Sequence, residues 1–122
     1  MSFPSSARDY AQQGVSLDHI LIEHPHATFF MYAETTAMVG AHMPPGSLLI
    51  IDRAVNAQNG DIILAVLNGE FIVRYLRKNG HTCWLYPANR QYREMKITQE
   101  MNMTVWGVVV QIIINPKYVA QV

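Results

Sequence analysis

What this sequence lacks narrows its function first. Its 122 residues include one cysteine, Cys83, so no internal disulfide can form and a reducing cytoplasm is the expected compartment. Neither sign of charge is in excess, because nine Lys and Arg face nine Asp and Glu. A protein that coats nucleic acid or an anionic membrane needs a basic field to displace counterions, so any connection to DNA is expected to be indirect. No charged-then-apolar leader opens the chain. The longest apolar stretch, Val105 to Ile114, is interrupted by Gln111 and falls well short of the roughly 18 residues that span a bilayer. The glycines sit in turn contexts, and none forms the strand-to-helix loop that cradles a phosphate. No cofactor and no membrane contact are therefore expected.

Half of the residues are hydrophobic, enough to cover one two-layer core but not two domains. A near-zero net charge also removes the self-repulsion that keeps small proteins apart, which favours association. Residues 1–14 are polar and irregular, with Pro4, serines and Gln12-Gln13-Gly14, and read as a flexible arm preceding a domain over 15–122. Ser16 can cap a short helix reaching Glu23, which Pro25 closes by biasing His24 away from helical geometry. From Glu34 to Gly46, Gly40, Pro44, Pro45 and Gly46 forbid a long element, and a loop with one brief helical turn is expected.

Strands dominate the rest. Thr28–Ala33, Leu48–Asp52, Ile62–Leu67, Phe71–Leu76, Thr82–Tyr86 and Val105–Ile114 are rich in Ile, Val and aromatics. The pairs Asn59-Gly60, Asn68-Gly69 and Asn79-Gly80 are strong short hairpin signals, because both residues tolerate positive φ. The expectation is a mainly β domain of about six or seven strands with a meander in its middle. Alternation along β-structure places Ile72, Arg74 and Leu76 on one face, so Arg74 stands among apolar neighbours. A permanent cation there needs a carboxylate or several carbonyls, and Glu34 is the nearest candidate.

Candidate chemistry is sparse. His24 and His26 flank Pro25, but His19, His42 and His81 show no metal-ligand spacing and Cys83 is remote, so these read as surface or helix-end histidines and no metal is expected. Cys83, beside Trp84 in a strand, reads as a small buried hydrophobe and not as a nucleophile.

The run Phe29-Phe30-Met31-Tyr32-Ala33-Glu34-Thr35-Thr36-Ala37-Met38 is followed by Pro45-Gly46-Ser47-Leu48-Leu49-Ile50-Ile51-Asp52. Then come Asn59-Gly60-Asp61-Ile62-Ile63 and Gly69-Glu70-Phe71-Ile72-Val73-Arg74. Together they resemble the self-cleaving Ser/Lys domain of the LexA and UmuD family, from Phe3 to nearly Ile114. The resemblance implies a LexA C-terminal or UmuD′-like curved β-sheet domain with a short N-terminal helix and an irregular N-terminal arm. In that family a serine precedes the methionine and the later strand supplies a lysine, which can be desolvated to the neutral amine and take the serine proton. At the matching positions this chain has Ala37 and Arg74. A methyl group cannot attack, and a guanidinium stays protonated. Thr35 and Thr36 stand next to the serine position, but the base would still be missing, so loop hydrogen bonding is their expected role.

The start of the chain, with Phe3-Pro4-Ser5 and Asp9-Tyr10, is similar to the segment just beyond the family's self-cleavage point. The resemblance therefore implies a pre-processed, protease-dead UmuD′-like protein of phage-encoded type. It also implies a homodimer, for which Leu64, Phe71 and Trp106 match interface positions. The expected function is that of an accessory subunit which joins a UmuC-type error-prone polymerase and contacts the RecA filament during SOS mutagenesis. The alternative is a regulatory module that heterodimerises with host UmuD or a LexA-type repressor. With no helix-turn-helix segment before Phe3, direct operator binding is not expected.

Overall fold

The three Asn-Gly pairs meet different fates in the computed structural model, which describes residues 16–117. Asn68 and Gly69 join β3 (Ile62–Leu67) to β4 (Glu70–Asn79), and both take positive φ, 50° and 83°, as a type I′ hairpin turn requires. At the next pair the register Asn79↔Thr82 leaves Gly80 and His81 as the two-residue loop before β5 (Thr82–Tyr86). Gly80, at φ 61°, then occupies the first central position, which is the type II′ pattern. Asn59-Gly60 joins no two neighbouring strands. The Asn59 side chain instead bonds both backbone groups of Lys78, and the Gly60 N–H donates to the Leu76 carbonyl, so the lead into β3 is tacked along β4.

Three further strands complete the sheet: β1 (Thr28–Ala33), β2 (Ser47–Asp52) and β7 (Thr104–Ile113), with β6 (Met95–Lys96) a two-residue edge. The seven strands are ordered β1-β2-β7-β3-β4-β5-β6, each pair antiparallel. β3 to β6 form the expected meander, and β7 returns to lie between β2 and β3. The mainly β expectation holds. The helix α1 is shorter than expected, spanning Leu17–Leu21, and Ser16 makes no side-chain cap bond to it. A single 3-10 turn over Val39–Ala41 interrupts the long loop as expected. The arm expected over residues 1–14 lies outside the described residues.

β7 carries two bulges, and these set the core. Its register skips Val110 against β2 (Ile50↔Gln111, Ile51↔Val109) and Trp106 against β3 (Leu64↔Gly107, Ala65↔Val105). Each skipped residue reverses the face on which the following side chains fall. Trp106, Val109 and Ile112 consequently pack with Leu49, Ile51, Leu64 and Val73. Val105, Val108 and Val110 pack with Ile63, Ala65, Leu76 and Leu85 on the opposite side. At Gly107 a Cβ would lie 2.6 Å from the Ile51 side-chain methyl Cγ2, so any larger residue beside the bulge would force Ile51 to move.

The segment before β1 is pinned by one ion pair. His24 Nδ1 lies 2.6 Å from Asp52 Oδ2, and Asp52, buried at the end of β2, also accepts the Ala54 N–H at 2.8 Å through Oδ1. The Thr28 hydroxyl donates to the His24 carbonyl at 2.6 Å, and the Arg53 N–H donates to the Ala27 carbonyl at 2.8 Å. His24 is a part-exposed histidine at the start of a 3-10 turn, in keeping with the surface or helix-end reading, and it is also held by Asp52, a contact between residues 28 apart in sequence that no local spacing signals.

The hydrogen bond to Asp52 raises the His24 pKa above its ordinary 6.5, against a smaller desolvation effect. Burial pushes Asp52 up, but the bonds from His24 and Ala54 outweigh it and leave the carboxyl below its ordinary 3.8. A raised histidine contributes stability below its unfolded pKa and loses it as pH rises through the folded value. A depressed carboxylate contributes above its unfolded pKa and loses it as pH falls through the folded value. The pair is therefore strongest between about pH 4 and about pH 6.5. Denaturant titrations of the native chain and of His24→Gln are expected to differ most in that window and to converge as pH rises past it. A gap that widened from pH 6 to pH 8 would contradict this assignment.

Candidate functional site

Ala37 and Arg74 are brought to one locality by the loop after β5. Ala37 is fully buried. Its N–H donates to Thr35 Oγ1 at 3.0 Å, and its carbonyl accepts the Ala88 N–H at 2.8 Å. The Gly40 N–H donates to the Ala88 carbonyl at 2.7 Å and Asn89 Nδ2 donates to the Thr36 carbonyl at 2.9 Å, so the loop after β1 is stitched to residues 88–89. In the same loop Tyr92 places its hydroxyl 2.8 Å from Thr36 Oγ1 and its ring 5.5 Å from the Arg74 guanidinium carbon. Arg74, Tyr92, Thr36 and Ala37 thus form a connected series.

Arg74 is 8 % exposed. Its Nη1 donates to the carbonyl of Val73 at 2.8 Å, and its Nε is buried with no acceptor. The expected partner is not found: Glu34 is exposed and lines the same cleft, yet makes no ion pair with Arg74 within 4.0 Å among the described residues. Glu34 keeps its own hydration, and the guanidinium is left with one carbonyl and an aromatic face. Burial pulls the Arg74 pKa down and Tyr92 opposes this, but a guanidinium does not become a base. Thr35 and Thr36 are engaged with the Ala37 N–H and Tyr92, which fits their expected role as loop hydrogen-bonding residues.

A second surface lies next to the first. Leu64, Phe71 and Trp106 converge on one apolar depression together with Phe29, Phe30 and Ile51. The Trp106 ring meets Phe29 and Phe71 edge-on at 5.1 and 5.8 Å and is covered by the Arg53 guanidinium at 4.3 Å. Arg53 Nε also donates to the carbonyl of Trp106 at 2.8 Å, which satisfies a backbone group that the bulge takes out of the ladder. Phe71 and Phe30 are 56 % and 66 % exposed. Leu64 differs from its two companions: at 2 % exposed it is the floor of the depression and belongs to the core, because it lies on β3, covered by β4 and β7. Phe29, Phe30 and Arg53 were not singled out from sequence, since β1 and β4 are separated by three strands in the sheet order and only the curl of the sheet brings their side chains together. Tyr92 carried no sequence signal at all.

The remaining candidates are quiet. Among the described residues no three His, Cys, Asp or Glu side chains converge as a metal site, and no helix is long and apolar enough to cross a membrane. Cys83 is half-buried against the Ile63 cluster, and burial pushes its thiol pKa up, as for a packing residue.

Comparison with known proteins places this geometry. A family described as Peptidase S24-like matches residues 1–110. Protein ImpA of Salmonella typhimurium is 38% identical over 111 residues, which cover 91% of this chain and 75% of ImpA. Protein MucA of Escherichia coli is 31% identical over 114 residues, covering 93% of this chain and 77% of MucA. The LexA repressor of Thermotoga petrophila is 28% identical over 89 residues, covering 73% of this chain and 45% of the repressor.

The Thr36 hydrogen bond is the largest cause holding the Tyr92 phenol below its ordinary pKa of 10.0, with Thr35 and the Arg74 charge acting in the same direction. Spectrophotometric titration of Thr36→Val is expected to move one tyrosine upward relative to the native chain, and Arg74→Met to move the same one upward by less. Unchanged curves for both variants would refute the linkage of Arg74 to Thr36 through Tyr92.

Proposed function

The chain belongs to the Peptidase S24-like family, and from that premise we propose that it is a protease-dead member acting as a UmuD′-like accessory subunit of an error-prone translesion DNA polymerase. The observation that carries the reading is the pair of side chains at the two positions where the family resemblance puts nucleophile and base. One is a buried methyl group, Ala37, and the other a guanidinium, Arg74. Acyl transfer needs a nucleophile whose proton can be taken, and neither half of that exchange is available. The neighbouring threonines do not replace it, because Arg74 is no base and cannot take a hydroxyl proton.

What remains to the molecule is its surfaces. Similarity to ImpA and MucA, over more than nine-tenths of this chain, supports a role in SOS mutagenesis alongside a UmuC-type polymerase subunit and the RecA filament. The depression over Leu64, Phe71 and Trp106 is the homodimer face in this reading. It offers exposed aromatics around a packed floor, the arrangement that concentrates binding energy at the centre of an interface. The same face would accept host UmuD as a heterodimer partner, since such a partner needs only a matching apolar surface.

Two experiments test this. Expressed with the polymerase subunit in cells lacking UmuD, the chain is expected to restore damage-induced mutagenesis, and no rescue above the empty vector would reject the accessory role. Sedimentation equilibrium of Phe71→Ala is expected to show a dimer weakened by about 2 kcal/mol, roughly 30-fold in Kd. A dimer unaffected by Phe71→Ala and by Trp106→Ala would remove this face from consideration.

A further inference from the structure

The balanced composition hides a segregation of charge. Arg74, Arg77, Lys78, Arg90 and Arg93 fall within residues 71–93, a stretch that holds no Asp or Glu, and Lys96 follows on β6. A zero net charge rules out a basic field over the whole surface, but not one confined to one end of the sheet. All of these cations except Arg74 are exposed, and among the described residues none has a carboxylate within 4.0 Å. Glu94 is the only acidic residue from Phe71 to Gln99. Asp61, which the lead into β3 brings beside Leu76, has its carboxylate engaged by the Gln58 N–H at 2.8 Å.

The strand register turns part of this charge into a patterned face. Arg77 on β4 stands opposite Trp84 on β5, and Trp84 stands opposite Lys96 on β6. One row across three strands therefore reads cation, aromatic, cation on a single face. Tyr86, two residues beyond Trp84, projects from the same face. Its ring lies 6.1 Å from the Trp84 ring at an interplanar angle of 37°, and the Arg77 guanidinium carbon lies 5.3 Å from its centroid. The opposite face of these strands packs on the core, where Cys83, Leu85 and Met95 meet Ile63. Trp84 and Tyr86 belong to neither core cluster and are part-exposed, so core packing does not account for two large rings placed side by side. Arg90 and Arg93 stand on the loop that leaves β5 after Tyr86.

We infer that this face of β4, β5 and β6 binds single-stranded nucleic acid, with bases stacked on Trp84 and Tyr86 and phosphates held by Arg77, Lys96 and the arginines of the following loop. Rings interleaved with cations match what a single strand presents, since every base has a flat face and every nucleotide carries a phosphate. A duplex keeps its base faces inside its own stack, and an acidic peptide offers charge without flat rings to set against the aromatics. The face shares no lining residue with the depression over Leu64, Phe71 and Trp106. Purified chain and oligonucleotide suffice to test it, so its failure is distinguishable from failure of the accessory-subunit reading. Single-stranded DNA and RNA present the same bases and phosphates, and the experiment separates them.

The full chain is titrated into fluorescein-labelled oligo-dT of about twelve nucleotides, with binding read by fluorescence anisotropy at several salt concentrations. Saturable binding is expected, with a slope of log K against log salt of about −2 to −3, the value for three or four phosphates on a single strand. Trp84→Leu is expected to weaken binding about tenfold through lost stacking, and Trp84→Phe to restore most of it. Arg77→Gln and Lys96→Gln are each expected to weaken binding and to make the slope shallower by about 0.7. The duplex of the same length and polyglutamate are expected to bind about tenfold more weakly than oligo-dT. Oligo-rU binding as tightly as oligo-dT assigns a single strand of either sugar, and a preference for one assigns DNA or RNA. Should Trp84→Leu fail to fold, Lys96→Gln, exposed on the edge strand, carries the test. No binding at low salt, duplex or polyglutamate bound as tightly as oligo-dT, or affinity unchanged in the folded variants would overturn this assignment.

Discussion

The architecture rests on the double pairing of β7. This strand arrives last in sequence yet lies third in the sheet, bonded to β2 on one side and β3 on the other. Neither the β1-β2 pair nor the β3 to β6 meander touches the other through a ladder without it. Alternation sends its side chains to two packed faces, and its two bulges reset which residues fall on which, so this one strand contributes to both cores. The bulge at Trp106 also sets the orientation of that residue, and Arg53 fixes it by bonding the carbonyl and covering the ring.

Trp106 in turn links the interior to the surface. Its ring bridges Phe29 of an edge strand and Phe71 of the meander, two elements from opposite halves of the sheet. The apolar depression and the Arg74 cleft share Met31, Leu64 and Phe71 as lining residues. A partner seated on the first would therefore stand at the mouth of the second.

Arg74 illustrates what a permanent charge demands of a buried position. A lysine can leave its buried site neutral by losing a proton, whereas a guanidinium retains its charge and must be answered by acceptors. The fold supplies one carbonyl and the face of Tyr92, and Tyr92 passes the contact on to Thr36. The geometry around Arg74 is thus ordered by hydrogen bonding and cation–π contact.

Much of this was legible in the chain itself. The strands over Ile62–Leu67 and Thr82–Tyr86 follow from runs of β-branched and aromatic residues between turn signals, and Asn68-Gly69 dictates its hairpin, because these are local preferences of backbone and side chain. The chemical identities of Ala37 and Arg74 decide what they can and cannot do in any fold. Tertiary structure alone decided that Asn59 bonds to Lys78, that His24 holds Asp52, that Leu64 is floor and not rim, and that Tyr92 stands between Arg74 and Thr36. Each joins residues distant in sequence, and the bulges that set the β7 faces arise only when two partner strands compete for one ladder, a constraint no local pattern encodes.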